Sequence, residues 1–341
     1  MPVGKRTPLP RRRPSWLLLP LAAVAALGLA ACQPIGGGAS PTPGASPGES
    51  PGAPGTQRLT IATGGTGGVY FPLGGGLAQE LTENIPGVNA TAQETTASVD
   101  NMRLIASGEA DIAFVLGDTA ADAVGGRAAF EGAPVDACTI GILYSNFTQV
   151  VTTTGTGIET IADLRGRRVS VGAPESGTEV IALRILDAAG INPDSDIQRS
   201  QLLVDETVDA LKDGTIDAGF WSGGLPTGAL RDLPNIKLIP TAEFTDALAA
   251  EFGPFYVERE LPANTYEGQT DAVPTIVVPN VLVVNKSMSA ELQQQITEVL
   301  FSQKEDLVNV HAAANELDPA TAGDVEFMDV CPGAQAYYDS R

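Results

Sequence analysis

The sequence predicts an α/β fold built as two lobes of similar design, and two observations carry that prediction. From Arg58 onward, short apolar runs alternate with helix-like segments in the order β-α-β-α-β, which favours a sheet with parallel strands. The second half then repeats this order and part of its spacing: Gly214, Asp217 and Phe220 stand as Gly108, Asp111 and Phe114 do. With 341 residues and 43% hydrophobic content, the chain is long enough for two domains with real cores.

The first unit opens with the apolar run 59–62 and a glycine-rich stretch, 63–76. A strand, a glycine turn and a helix N-terminus make an anion cradle, because free backbone N–H groups and the helix dipole both favour negative charge there. A tight turn without a ligand is the alternative, since glycine serves that role too. A dinucleotide fingerprint starting at Gly65 and Gly67 would need a third glycine where Tyr70 stands, and the Gly-Lys-Ser/Thr ending of a nucleotide P-loop is absent. A helix follows over 72–85, stopped at Pro86-Gly87, then a strand over 88–94. The next helix takes Ser98 as its N-cap and Gly108 as its stop, ahead of a strand over 111–116. Asp118 lies just past that strand, at the edge where open α/β sheets bind ligands; receiving a ligand ammonium and capping the next helix are both open to it.

In the second unit a strand over 168–171 leads through the loop 172–176 to a helix over 177–189, stopped by Gly190, so that Ser176-Gly177-Thr178 stands where Thr66-Gly67-Gly68 stood. A helix over 206–212 and a strand over 216–221 complete the repeat. Beyond 239 come a helical stretch at 245–252, a proline-rich loop, and the apolar run 273–284, whose Pro274 and Pro279 suit strand edges or bends in a return crossing between lobes. The remainder reads as helix over 289–316, capped by Ser287 or Ser289, and a last helix near 334–338.

Ahead of all this, Lys5, Arg6 and Arg11 to Arg13 precede an apolar run at 16–29 and Leu29-Ala30-Ala31-Cys32, the layout of an export signal. Its ending resembles a bacterial lipobox, which implies cleavage after residue 31 and a lipid on Cys32. Residues 32–57, nearly all Gly, Pro, Ser, Ala and Thr, read as a disordered tether. Loss of residues 1–31 removes five basic and no acidic residues and takes the formal charge from −21 to −26. Nucleic acid and anionic lipid are therefore poor partners, and a small anion must be held by local dipoles. Cys138 and Cys331 remain; an oxidising compartment allows a disulfide, and two free thiols are the alternative.

Several segments, in order, resemble one family. They are Gly64-Gly65-Thr66-Gly67-Gly68-Val69-Tyr70-Phe71-Pro72-Leu73-Gly74-Gly75, Ser98-Val99-Asp100-Asn101-Met102-Arg103-Leu104 and Ser107-Gly108-Glu109-Ala110-Asp111. Gly172-Ala173-Pro174-Glu175-Ser176-Gly177-Thr178-Glu179, residues 209–218, Val273-Pro274-Thr275 and Pro332-Gly333-Ala334 continue the series. Together they are similar to the TAXI solute receptors of TRAP-type transporters. The resemblance implies a two-lobed type II periplasmic-binding-protein fold, with residues 58–150 and 274–341 forming lobe 1 and residues 151–273 lobe 2. It implies a monomeric receptor, lipid-anchored on the outer face of the cytoplasmic membrane, that closes on a small carboxylate such as glutamate, glutamine or a 2-oxo acid and delivers it to a membrane permease. Many relatives have His where this chain has Cys331, a departure that, beside Cys138, favours a disulfide.

Chemistry and resemblance together nominate the ligand contacts: Thr66, Gly67, Gly68, Tyr70, Ser98 and Asp118 in lobe 1, and Ser176, Gly177, Thr178 and Gly223 in lobe 2. Trp221 reads as core rather than as a platform, and Arg103 as a solvated helix residue. An enzyme is not expected: the single histidine, His311, reads as a surface or cap residue, and no nucleophile, base and orienting group are spaced as a set. No cofactor is expected, and no His/Cys cluster suggests a metal.

Overall fold

Leu73, Leu77 and Leu81 recur every four residues and are all buried, which is why the segment after the glycine loop folds as a helix with one face on a sheet. In the computed structural model, which describes residues 56–341, this is α1 (Tyr70–Asn84). It starts two residues before the expected position, with Val69 as its cap residue. The preceding strand β1 (Gln57–Ala62) begins inside the expected tether, and Gln57 N–H donates to Gly87 O at 2.7 Å. The expected signal segment, Cys32 and the tether up to residue 55 lie outside the described residues.

Lobe 1 continues through β2 (Val88–Gln93), α2 (Ser98–Ser107), β3 (Ile112–Leu116) and α3 (Gly117–Gly125). Ser98 is the first residue of α2 and not its cap: Ala97 holds the cap position at φ 87°, and Ser98 Oγ accepts from Leu116 N–H at 3.1 Å. Gly108 ends the helix in the left-handed conformation that glycine adopts without strain.

Lobe 2 is built the same way from β5 (Arg168–Ser170), α4 (Gly177–Ala188), β6 (Gln198–Ser200), α5 (Val204–Lys212) and β7 (Ala218–Gly223). The repeated Gly/Asp/Phe spacing makes the same local structure twice. Asp111 accepts from Thr60 N–H at 2.8 Å and returns its own N–H to Thr60 O; Asp217 does both with Arg168, again at 2.8 Å. Phe114 and Phe220 are buried beyond it. In each lobe the aspartate fixes the start of the third strand against the first.

Two long strands cross between the lobes. The 17-residue β4 (Ala137–Thr153) pairs through residues 137–147 with β10 (Val273–Asn285), and beyond that with β7 and β8 (Ile236–Ile239). β10 pairs first with β9 (Val257–Leu261) and then with β3. The sheet therefore runs β2-β1-β3-β10-β4-β7-β5-β6, with β8 added on β4 and β9 on β10. The return crossing at 273–284 is as expected, and Pro279 sits next to a register shift. The outward crossing in β4 falls in a stretch for which the sequence suggested no strand. This is a type II periplasmic-binding-protein fold: two α/β lobes joined by crossing strands.

Each lobe has cores on both sheet faces. In lobe 1, α1 packs with α7 (Ala290–Ser302) and α8 (Lys304–Val310) on one face, and α2 with α3 on the other. In lobe 2, Ile181 and Ile185 of α4 join Leu248 of α6 (Thr245–Phe252), while Val204, Val208 and Leu211 of α5 fill the opposite face. The expected helix over 289–316 is divided: Ser289 caps α7, and His311 follows α8, its Nδ1 accepting from Ala313 N–H. Among the described residues no helix is long and apolar enough to cross a membrane.

Cys138 at the start of β4 and Cys331 at the cap of α9 (Pro332–Asp339) are joined by a disulfide, with Cα atoms 5.1 Å apart at a sequence separation of 193. Closing so long a loop constrains the unfolded chain, so replacing both cysteines with alanine is expected to lower stability by about 2–4 kcal/mol. Urea denaturation checks this; an unchanged midpoint contradicts it.

Candidate functional site

Three helix N-termini meet the crossing strands between the lobes, and around them lies a small cavity of about 40 Å³. Lobe 1 contributes Gly64, Gly65, Val69 and Tyr70 at the start of α1, and Ala97 and Ser98 at the start of α2. Lobe 2 contributes Ser176, Gly177 and Thr178 at the start of α4, with Trp221, Ser222 and Gly223 at the end of β7. Tyr144 and Asn146 of β4 line the cavity where the strand passes from one lobe to the other.

The start of α4 is shaped by its own sequence. Ser176 caps the helix, accepting from Glu179 N–H at 3.1 Å while donating to Ala173 O at 2.7 Å, so its hydroxyl is already occupied. Gly177 and Thr178 occupy the first two helical positions, where the N–H groups have no partner within the helix. Thr178 Oγ1 accepts from Ser222 N–H at 3.1 Å and so ties the helix start to β7.

The lobes are closed on each other. A Cβ on Gly177 would lie 2.4 Å from Leu116 Cδ1 and 2.8 Å from Ser98 Oγ, both in lobe 1. Glu175 O accepts from Val99 and Asp100 N–H at 3.0 and 3.2 Å, and Arg103 pairs with the Glu175 carboxylate. Arg103, expected to be solvated, is thus half of an ion pair across the cleft mouth.

Of the residues nominated from sequence, the cavity gathers Tyr70, Ser98, Ser176, Gly177, Thr178 and Gly223. The rest lie elsewhere, each for a definite reason. Thr66 is exposed. Gly68 N–H donates to Gly65 O at 3.1 Å within the turn. The Asp205 carboxylate from lobe 2 lies against Gly67, so the negative charge at this loop is the protein's own. The helix start of lobe 1 that lines the cavity is three residues further on, at Val69-Tyr70.

Asp118 is not available to a ligand ammonium. It is fully buried beneath lobe 2, where it accepts from Arg184 at 3.1 Å, from the Tyr256 hydroxyl at 2.6 Å and from Thr119 N–H at 2.7 Å. Burial pushes its carboxyl above the ordinary value, opposed by the Arg184 charge and the Tyr256 hydroxyl. Trp221 is both core and wall: half-buried, it packs against the core around α5 and lines the cavity, its ring lying against Gly68 and its Nε1 donating to Thr227 Oγ1 at 2.8 Å.

Tyr144, Asn146 and Ser222 add polar side chains to the cavity lining. Of the seven buried side-chain atoms without a hydrogen-bond partner among the described residues, Tyr144 OH, Asn146 Oδ1 and Ser222 Oγ belong to cavity-lining residues. Buried polar groups are ordinarily paired, and a fourth atom of the seven, Asn280 Nδ2, belongs to the residue whose Oδ1 accepts from Asn146. Sequence reasoning passed over Tyr144 and Asn146; the available signal was Tyr144-Ser145-Asn146 interrupting an apolar run. Among the described residues no Asp, Glu, Arg, Lys or His lines the cavity. Burial raises the Tyr70 and Tyr144 phenols, keeping both protonated near neutral pH. Among the described residues no three His, Cys, Asp or Glu side chains group as a metal site.

The model of the NMT1-like family matches residues 61–340. Among solved structures, the chain is similar to the periplasmic aliphatic sulphonate binding protein SsuA from Escherichia coli, at 17% identity over 83% of each chain and a TM-score of 0.44. It is also similar to a chain from work on glutathione import via GshT and the cystine ABC importer TcyBC of Streptococcus mutans, at 13% identity over 76% of this chain and 95% of that one, with a TM-score of 0.49.

Proposed function

The chain belongs to the NMT1-like family, and on that premise we propose that it is an extracytoplasmic solute receptor that captures a small carboxylate between its lobes and delivers it to a membrane transporter. The observation that carries the reading is the pair of α4 amides, Gly177 and Thr178, which have no partner within their helix and stand at a cavity lined, among the described residues, by no charged side chain. A carboxylate there is stabilised by amides and helix dipole alone, which suits a chain whose net charge repels anions at long range.

Capture follows from the closed geometry. Closing brings Gly177 against Ser98 and Leu116, sets Glu175 O on the first amides of α2 and pairs Arg103 with Glu175. Solute contacts made by both lobes favour the closed state, which is the form presented to the permease. No covalent chemistry takes place in this reading.

The motif resemblance supports a TRAP-type permease as the recipient and a lipid on Cys32 as the anchor. An ATP-driven importer is the alternative recipient, and sulphonate- and cystine-related import proteins are among the structures to which the chain is similar. A panel of amino acids, hydroxy acids, dicarboxylates and 2-oxo acids tests the capture step. The cognate member is expected to stabilise the purified protein by about 2.7 kcal/mol at a hundredfold excess over its dissociation constant. A melting curve that none of them moves, with no co-purified carboxylate in the mass spectrum, overturns the reading.

A further inference from the structure

Helix α2 does not cap itself. Its cap position is Ala97, which has no side-chain oxygen and stands at φ 87°, so the first-turn amides of Val99 and Asp100 find no acceptor there. Nearby hydroxyls are turned elsewhere: Ser98 Oγ accepts from Leu116 N–H, and Thr95 Oγ1 accepts from Ala97 N–H while donating to Asn101. The acceptor comes from the other lobe. Glu175 O takes both amides, at 3.0 and 3.2 Å, and the Glu175 carboxylate pairs with Arg103, one turn further along α2.

That carbonyl is placed by a braced turn of lobe 2. Residues 173–176 are closed by Ser176 N–H on Ala173 O at 3.2 Å, with Pro174 second and Glu175 third in the turn. Glu175 stands at φ 61°, a left-handed position that such a turn ordinarily gives to glycine. Glu179 Oε2 accepts from Glu175 N–H at 2.9 Å, and Glu179 Oε1 is itself held by Arg199 and Gln201, both at 2.6 Å. Left-handed backbone at a residue other than glycine persists where its surroundings impose it, and here the product is a carbonyl aimed at the opposite lobe. Neither Glu175 nor Arg103 is among the described residues that line the cavity, so both act on the lobes and not on a solute.

We propose that Glu175 is a positioning residue for closure: its carbonyl, delivered from lobe 2, is the N-cap that α2 of lobe 1 lacks, so opening the cleft uncaps the helix and closing restores the cap. The ion pair adds little, since both side chains are about half exposed. The backbone carbonyl carries the effect. The proposal rests on the two-lobed receptor reading above and adds the residue that sets how firmly the lobes stay shut.

Amide hydrogen exchange, followed residue by residue on the purified full-length protein without added solute, tests it, and failure there leaves solute capture standing. Val99 and Asp100 are expected to be protected in the wild type, although first-turn amides have no partner within their own helix. Glu175→Pro fixes φ at about −65° and cannot form the left-handed turn. It is expected to speed exchange at both amides at least about tenfold, with Leu104 and Ile105 in the second half of α2 unchanged. Glu175→Asn loses the charge but takes the left-handed conformation readily, and should stay within about threefold of the wild type. Gly177→Ala, whose added Cβ meets Leu116 and Ser98 of lobe 1, leaves the turn untouched and is expected to speed the same two amides, an effect that a role confined to the turn would not produce. Unprotected Val99 and Asp100 in the wild type, unchanged exchange in a folded Glu175→Pro, equal acceleration throughout α2, or Glu175→Asn as fast as Glu175→Pro overturns the proposal. Should Glu175→Pro not fold, Gly177→Ala decides: faster exchange at the two amides supports the proposal and unchanged exchange overturns it.

Discussion

Gly177→Ala is expected to weaken solute binding by roughly tenfold or more while leaving the fold of the free protein intact. The added Cβ meets Leu116 Cδ1 at 2.4 Å and Ser98 Oγ at 2.8 Å, and both belong to the opposite lobe. Leu116 has a movable tip, but Ser98 Oγ is held by Leu116 N–H, so relief requires the lobes to part. Overpacking of this kind costs about 1–3 kcal/mol, and here it falls on the closed state, which is the state that binds. Titration calorimetry with the cognate solute, beside a melting curve of the free protein, checks this. Wild-type affinity in Gly177→Ala would mean that the lobes do not approach here in the bound form.

The second large effect lies behind the cleft. Arg184 of α4 donates to Asp118 and Asp122 of α3 and to the Tyr256 hydroxyl, and its guanidinium lies 4.0 Å above the centre of the Phe252 ring. Burial works against its charge, but Asp118 and Asp122 outweigh this and hold its pKa above the ordinary value. Removing one partner of a buried ion cluster leaves the others uncompensated, at about 3–5 kcal/mol, whereas neutralising the whole cluster is often close to neutral. Arg184→Met should therefore destabilise the protein by that amount, and adding Asp118→Asn and Asp122→Asn to the same chain should restore most of it. Urea midpoints for the three proteins give the result. A single variant as stable as the wild type, or a triple variant no better than the single, contradicts the account.

What the sequence made legible was local. The βαβ order, the glycine stops and the Ser176 cap depend on residues within a few positions of one another, and the repeated Asp111 and Asp217 fix strand starts in both lobes by the same bonds. Half of the site followed, because an N-cap followed by glycine is a local device. The rest depended on partners far along the chain. Nothing near Gly67 announces Asp205, and nothing near Asp118 announces Arg184 or Tyr256. β4 was hidden because its middle carries Tyr144, Ser145, Asn146, Thr148 and Gln149, which blur the apolar signal of a buried strand. Those polar residues stand where the strand leaves one lobe for the other, and two of them line the cavity.

A distance measurement between the lobes tests the central claim most directly. Spin labels placed through cysteines at the exposed positions Glu83 on α1 and Asp209 on α5, in a Cys32→Ser chain, leave the bonded Cys138 and Cys331 undisturbed. Pulsed electron resonance with saturating cognate solute should give one narrow population at a shorter distance than the solute-free protein samples. A solute that binds by calorimetry yet leaves the distance distribution unchanged would contradict closure of the two lobes on the ligand.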